Sequence, residues 1–189
     1  IIHSTTSNSP YKGFETICES LYILREIKSL NVMWQVAGLD EYDTIVRITK
    51  KKLKERFPRN GIIYLGSLDE KQLVDSLCRA SVYVSPSHIE NSPNSLCEAM
   101  LIGIPCIATF AGGTTSILVD RAEGILIQDG DPWSMAGAIL EIYSNPKIAQ
   151  VYGKNAREKA LIRHNSSRVV RCYLDIYKDI IRKQKKYLT

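Results

Sequence analysis

The chain has 189 residues, 44% of them hydrophobic and 24% charged, a globular composition that suits one α/β domain with a sizeable core. Its 25 Lys and Arg against 20 Asp and Glu give a net charge of +5, and it holds no apolar run of about 18 residues that could span a bilayer as a helix. It opens Ile1-Ile2-His3 without Met, basic n-region or apolar signal segment, and is expected to be a piece of a longer cytoplasmic protein.

Five cysteines (Cys18, Cys78, Cys97, Cys106, Cys172) are odd in number and lack CxxC or Cys/His ligand spacing. Four have apolar neighbours, so buried free thiols in a reducing compartment are expected. The basic excess is local: Lys50 to Lys54 with Arg47, Arg56 and Arg59, and again Arg182-Lys183-Gln184-Lys185-Lys186. Solvated helix faces are the first reading of such runs. A phosphate-rich partner, or peripheral contact with an anionic membrane at the inner face, is the second. Aromatic residues do not alternate with these runs, so no nucleic-acid partner is expected.

Short apolar runs alternate with amphipathic stretches along the chain. Ile1-Ile2 reads as the start of a strand, and Phe14 to Leu30 as a helix with Ile17, Leu21, Leu24 and Ile27 on one face. Val32 to Ala37 predicts a strand closed by Gly38, and Tyr42 to Phe57 a basic helix stopped by Pro58. Strand Ile62–Leu65 ends at Gly66, and Asp69 can cap a helix running to about Arg79. Strand Ser81–Val84 ends at Pro86. A loop, a helix from Asn94 to Ile102, strand Pro105–Ala108, the Gly112-Gly113 turn and strand Ile125–Gln128 follow. Helices starting at Pro132, Pro146 and about Ser166 complete the chain. Such β-α alternation predicts an α/β, Rossmann-like parallel sheet with helices on both faces, whose ligand edge lies at the strand C-terminal ends.

From Ala80 to Val119 only two residues are formally charged, and both are carboxylates, Glu90 and Glu98. The stretch is otherwise built for an interior, where an unpaired carboxylate costs several kcal/mol, so each needs a partner or a wet cleft. Glu90 falls in the loop after a strand. Glu98 falls near the start of the next helix, where the helix dipole alone contributes about 0.3–1 kcal/mol. Free N–H groups at the Asn94 helix start can receive a diphosphate. A carboxylate one turn in can accept the vicinal hydroxyls of a ribose. His3 and His88 are candidate bases, though lone histidines are mostly structural. Asp131-Pro132 reads as a helix start with Pro at its first position.

The run Glu90-Asn-Ser-Pro-Asn-Ser-Leu-Cys-Glu98-Ala-Met, followed by Gly103-Ile-Pro105, Gly112-Gly113 and Gly130-Asp131-Pro132, resembles the E-x7-E signature of retaining GT-B glycosyltransferases, the group 1 or family-4 class. Tyr11-Lys12-Gly13 is similar to that family's KG element, and Asn155-Ala-Arg157-Glu158 extends the likeness, so it covers nearly the whole chain in order.

The resemblance implies that residues 1–189 form the single donor-binding domain of a two-domain enzyme, with a nucleotide sugar as substrate and neither cofactor nor metal. Glu90 and Lys12 would be the catalytic pair: Glu90 at the donor sugar, Lys12 at the diphosphate as a point charge offsetting the leaving group. Glu98 would hold the ribose. The amides of Asn94, Ser95 and Leu96 would hold the phosphates, Ser92 would also belong to the donor-binding site, and the Gly66-Ser67-Leu68 turn would meet the base. The acceptor, a sugar or lipid-linked glycan, would sit in a further N-terminal domain, to which the helix 166–189 would cross. Its apolar positions, among them Val170, Tyr173, Leu174 and Tyr177, exceed what one core-facing stripe needs, so some should be exposed. Thr6 stands in the neighbourhood where the family usually has Arg, and Gly112-Gly113-Thr114-Thr115-Ser116 lacks the carboxylate of the usual GG-x-P-E. A nucleotide-sugar-binding module without turnover and a GT-B nucleotide-sugar epimerase are the alternatives.

Overall fold

The computed structural model describes residues 1–187, with side chains through residue 184. Its strands are β1 (Ile2–Thr5), β2 (Trp34–Ala37), β3 (Ile62–Gly66), β4 (Val82–Ser85), β5 (Cys106–Thr109) and β6 (Gly124–Ile127). Its helices are α1 (Phe14–Tyr22), α2 (Thr44–Leu53), α3 (Glu70–Arg79), α4 (Asn94–Ile102), α5 (Pro132–Ser144), α6 (Pro146–Arg163) and α7 (Ser166–Tyr187).

Every strand pairing is parallel, in the order β3-β2-β1-β4-β5-β6. The chain builds outward from β1 through β2 to β3, returns to the other side of β1 with β4, and builds outward again. Loops leaving β1 and β4 therefore depart to opposite sides, opening a crevice at the carboxyl ends of those two strands.

Both sheet faces are covered, which is why the strands read as short continuous apolar runs. Alternate residues divide between two cores. Val82, Val84, Ile107, Ile125 and Ile127 pack with α1, α2 and α5 through Phe14, Leu21, Ile45 and Met135. Tyr83, Cys106, Ala108 and Leu126 pack with α3, α4 and α6 through Leu77, Leu96, Met100 and Ala156.

Local signals set several boundaries. Asp69 and Gln72 form a reciprocal capping box at α3. Asp131 accepts the amides of Trp133 and Ser134 at 3.0 Å each, with Pro132 as the first residue of α5. Elsewhere the structure departs from the pattern. β1 reaches Thr5 because His3 and Ser4 are buried polar residues with partners: Ser4 Oγ donates to Val84 O at 2.7 Å and accepts from Trp34 Nε1 at 3.0 Å. α1 ends at Tyr22 and widens into a π turn, Ile23–Ile27, that leaves Ile27 exposed. α2 covers only Thr44–Leu53, because Lys54 takes φ +51° and breaks the helix. Three thiols are buried (Cys18, Cys97, Cys106), whereas Cys78 and Cys172 are exposed.

Helix α7 packs against α6, and Val170, Tyr173, Leu174 and Tyr177 are each at least half exposed, as expected of that stretch. Residues 188–189 of the expected terminal helix, and the side chains of Lys185 and Lys186, lie outside the described residues. No helix among the described residues is long and apolar enough to cross a membrane.

His3 is fully buried, with Nδ1 3.1 Å from Ser76 Oγ, and its ring stacks on Tyr83. Burial lowers its pKa to about 4, below its usual 6.5. The unfolded chain therefore takes up a proton that the folded chain refuses. His3 lends full stability above pH 6.5 and loses it as pH falls toward 4, by about 3 kcal/mol in all. Urea unfolding at pH 7 and at pH 4.5 should show a smaller loss for His3→Gln than for the parent; equal losses would contradict this account of His3.

Candidate functional site

The crevice between β1 and β4 is built by backbone packing before any side chain is placed. Gly13 sits at φ +71° after a 3-10 turn, Pro10–Lys12, and a Cβ there would lie 2.0 Å from Pro86 O. Only glycine permits that approach. His88 N–H donates to Tyr11 O at 2.8 Å, closing the loop after β4 onto the loop after β1. On the other side, Cβ atoms at Gly112 and Gly113 would meet Glu90 O at 1.7 Å and Asn91 O at 1.9 Å. The Gly112-Gly113 turn of the sequence thus begins a 3-10 segment, Gly112–Ser116, pressed against the backbone of Glu90. The loop bearing Glu90 is held from both sides.

Lys12 and Glu90, 78 residues apart in sequence, meet here: Nζ donates to Oε2 at 2.7 Å. The side chains are 28% and 12% exposed, so the pair lines the crevice wall with little solvent around the carboxylate. Ser87 Oγ donates to the same oxygen at 3.3 Å, and the Asn91 amide to Oε1 at 3.2 Å. Glu90 thus has the partner that its setting demands.

Glu98 differs. It is exposed on α4 and has neither ion pair nor hydrogen bond among the described residues, so its carboxylate is open to an incoming donor group. Not all of the charge-poor interval is interior, since Ile89 is 70% and Phe110 50% exposed. Helix α4 begins after Pro93 without a side-chain cap, so the first-turn amides of Asn94, Ser95 and Leu96 are free for an anion. The Leu96 side chain is fully buried, leaving only its amide for binding. Ser92 and Asn94 are exposed and Ser95 is half-buried.

The Gly66-Ser67-Leu68 turn is not brought against Lys12 and Glu90. It ends the edge strand β3, two strands from β1 and so roughly 10 Å along the same sheet edge. It leads into α3, which packs beside α4, so turn and α4 share one side of the sheet. Gly66 holds φ +59° and accepts the Gly38 amide at 2.7 Å. Thr6 is buried at the end of β1 with its hydroxyl unpaired, so that position supplies no cation to the crevice.

A second constellation is visible only in three dimensions. His88 Nε2 lies 2.9 Å from Glu15 Oε1, and its Nδ1 lies 3.4 Å from Asp129 Oδ2. The ring thereby joins α1, the Glu90 loop and the loop after β6. The sequence marked His88 only by its nearness to Glu90; neither carboxylate is a neighbour along the chain. His3, the other candidate base, is sealed inside the sheet and does not reach the crevice. Among the described residues no three His, Cys, Asp or Glu side chains are grouped to hold a metal ion.

Comparison with known proteins agrees with this fold. The family model "Glycosyl transferases group 1" matches residues 1–159. An uncharacterized glycosyltransferase of Methanocaldococcus jannaschii is 24% identical over 172 residues, which is 90% of this chain and 43% of that protein. N-acetyl-alpha-D-glucosaminyl L-malate synthase of Bacillus anthracis is 27% identical over 145 residues, or 77% of this chain and 36% of its own. The fold is shared with Anabaena HepE, solved in complex with UDP, at a TM-score of 0.80 and 19% identity, covering 94% of this chain and 48% of that one. The chain thus spans less than half the length of these relatives. With a parallel sheet in the order that places a crevice at β1 and β4, and a family match over most of its length, the chain belongs to the group 1 glycosyl transferases.

Proposed function

We propose that this chain is the donor-binding half of a retaining glycosyltransferase, which moves a hexose from a nucleoside diphosphate sugar to an acceptor hydroxyl. The observation that carries the reading is the Lys12–Glu90 ion pair at the strand-order reversal, beside the uncapped start of α4. The diphosphate lies against the amides of Asn94 to Leu96 and near the exposed Ser92 and Asn94. Lys12 turns toward it, and Glu98 accepts the ribose hydroxyls. The backbone of Gly66 to Leu68 meets the base. UDP in the structural neighbour HepE supports a nucleoside diphosphate here.

In this reading Glu90 faces the sugar. As the glycosidic bond lengthens, positive charge grows at the anomeric carbon and negative charge on the leaving phosphate oxygen. Glu90 offsets the first and Lys12 the second, both fixed before the reaction starts. The leaving oxygen takes the acceptor's proton on the face from which it departs, so configuration is retained without a carboxylate nucleophile. No metal is called for, because Lys12 and the helix amides supply the countercharge. The acceptor binds to a further domain, which α7 reaches through its exposed apolar positions.

Two substitutions separate the carboxylates. Glu98→Ala should weaken nucleoside diphosphate binding on the order of 100-fold, the loss of two hydrogen bonds to a charged group, while leaving thermal unfolding almost unchanged. Unaltered affinity by calorimetry would remove the ribose role. Glu90→Gln should spare binding of the bare diphosphate and lower kcat of the full-length enzyme on the order of 100-fold. If diphosphate affinity fell as far as kcat/KM, Glu90 would belong to the nucleotide instead. Product analysis of the same reactions distinguishes transfer from epimerisation: a free, inverted nucleotide sugar would replace this reading with an epimerase.

A further inference from the structure

The positive charge of this protein is carried mainly by two elements, residues 44–60 and helix α7. Residues 44–60 carry seven of the 25 basic and one of the 20 acidic residues, leaving 18 basic against 19 acidic elsewhere. Residues 44–60 thus carry a net charge of +6, and helix α7, with seven basic and two acidic residues, carries +5.

Helix α2 buries Ile45, Val46, Thr49 and Leu53 in the core and turns Arg47, Ile48, Lys50, Lys51 and Lys52 to solvent. No carboxylate lies within the helix. An ordinary solvated face mixes the two signs and pairs them. Helix α7 does so in part, pairing two of its seven cations: Lys178 lies 3.6 Å from Asp175 and Arg182 3.9 Å from Asp179. Of the seven cations in 44–60, only Arg56 has an ion-pair partner among the described residues, Glu19 at 3.1 Å. The other six have no carboxylate within ion-pair distance among the described residues, so this face carries a charge density that an external anion would relieve.

Two details give the surface a shape. A cavity of about 450 Å³ opens between α2 and the edge strand β3, lined by Lys50, Lys54, Arg59, Phe57 and Tyr64, with Glu41 also in its wall. Three cations facing one carboxylate can receive a phosphate group. Ile48 stands 56% exposed among the cations of the open face. The apolar stripe of α2 is committed to the core, so this helix cannot insert. It can lie on a charged interface with Ile48 as its one apolar contact.

We propose that the α2 face docks on an anionic phospholipid surface, holding the domain at a membrane by charge rather than by insertion. A nucleic acid is the weaker match. Base stacking needs exposed aromatic rings among the cations. Here Phe57 is half-buried and Tyr42, 85% exposed, stands beside Asp40, Glu41 and Asp43. The proposal does not depend on which reaction the crevice supports.

The test is co-sedimentation of the 189-residue chain with vesicles of phosphatidylglycerol and phosphatidylcholine, against phosphatidylcholine alone. The chain should partition to the anionic vesicles only and leave them at about 1 M salt, where the screening length falls to roughly 3 Å. The exposed pair Lys51→Gln/Lys52→Gln should fold as the parent does, shown by an unchanged circular dichroism melt, and should lower partitioning about 25-fold, roughly five-fold per lysine. Arg182→Gln/Lys183→Gln on α7 should leave it within about two-fold, since those charges lie off the docking face. Equal binding to neutral vesicles, a loss from the α7 variant as large as that from the α2 variant, or tighter binding to a single-stranded RNA than to anionic vesicles would each overturn it.

Discussion

Three backbone carbonyls, those of Pro86, Glu90 and Asn91, lie so close to Gly13, Gly112 and Gly113 that no other residue fits at the three glycines. The geometry of the crevice rests on this packing. Loops at sheet edges are ordinarily mobile, and a catalytic side chain on such a loop has no fixed position. Here the Glu90 loop is pressed on one side by the turn that carries Lys12 and on the other by the segment after β5. The ion pair at 2.7 Å is a consequence of that clamp as much as of charge attraction. Any side chain larger than hydrogen at Gly13, Gly112 or Gly113 displaces the loop backbone at Pro86, Glu90 or Asn91 respectively.

The two carboxylates of the charge-poor interval solve the burial problem differently. Glu90 is nearly enclosed and is neutralised by Lys12, Ser87 and the Asn91 amide. Glu98 escapes the penalty by facing water. The contrast fits the proposed division of labour, in which one carboxylate is fixed in position and the other awaits hydroxyl donors. It also sets a condition on donor binding. Lys12 is engaged with Glu90, and in the proposed site a diphosphate must draw it away or share it. The incoming group carries more negative charge than the single carboxylate it competes with, so the exchange is favourable provided that the α4 amides hold the phosphates in place. In the proposed site Thr6, at the end of β1, offers no cation to assist Lys12.

How much of this was legible in the sequence depended on how local the cause was. The limits of α4, the start of α5 and the Asp69 cap of α3 matched expectation, because caps, prolines and glycines act over a few residues. Strand β1 was foreshortened in the reading because His3 and Ser4 look like surface residues until Ser76, Trp34 and Val84 supply their partners. The end of α2 was misplaced because a lysine at positive φ leaves no mark in a pattern of apolar spacing. Cys78 lies beside Leu77 in sequence yet faces solvent, since flanking residues on a helix point elsewhere. For the crevice, the motif picked out Glu90, Glu98 and Lys12 as residues, but not that two of them touch. The bridge from His88 to Glu15 and Asp129 had no sequence signal, because its members come from three separate elements.

The central claim is that the crevice between β1 and β4 is a nucleoside diphosphate site governed by the Lys12–Glu90 pair. A crystal structure of this chain soaked with UDP, ADP or GDP tests it directly. The account predicts a diphosphate on the amides of Asn94 to Leu96, ribose hydroxyls on Glu98, and Lys12 Nζ moved from Glu90 to a phosphate oxygen. A nucleotide bound instead in the basic cavity of Lys50, Lys54 and Arg59, with Lys12 still 2.7 Å from Glu90, would contradict it.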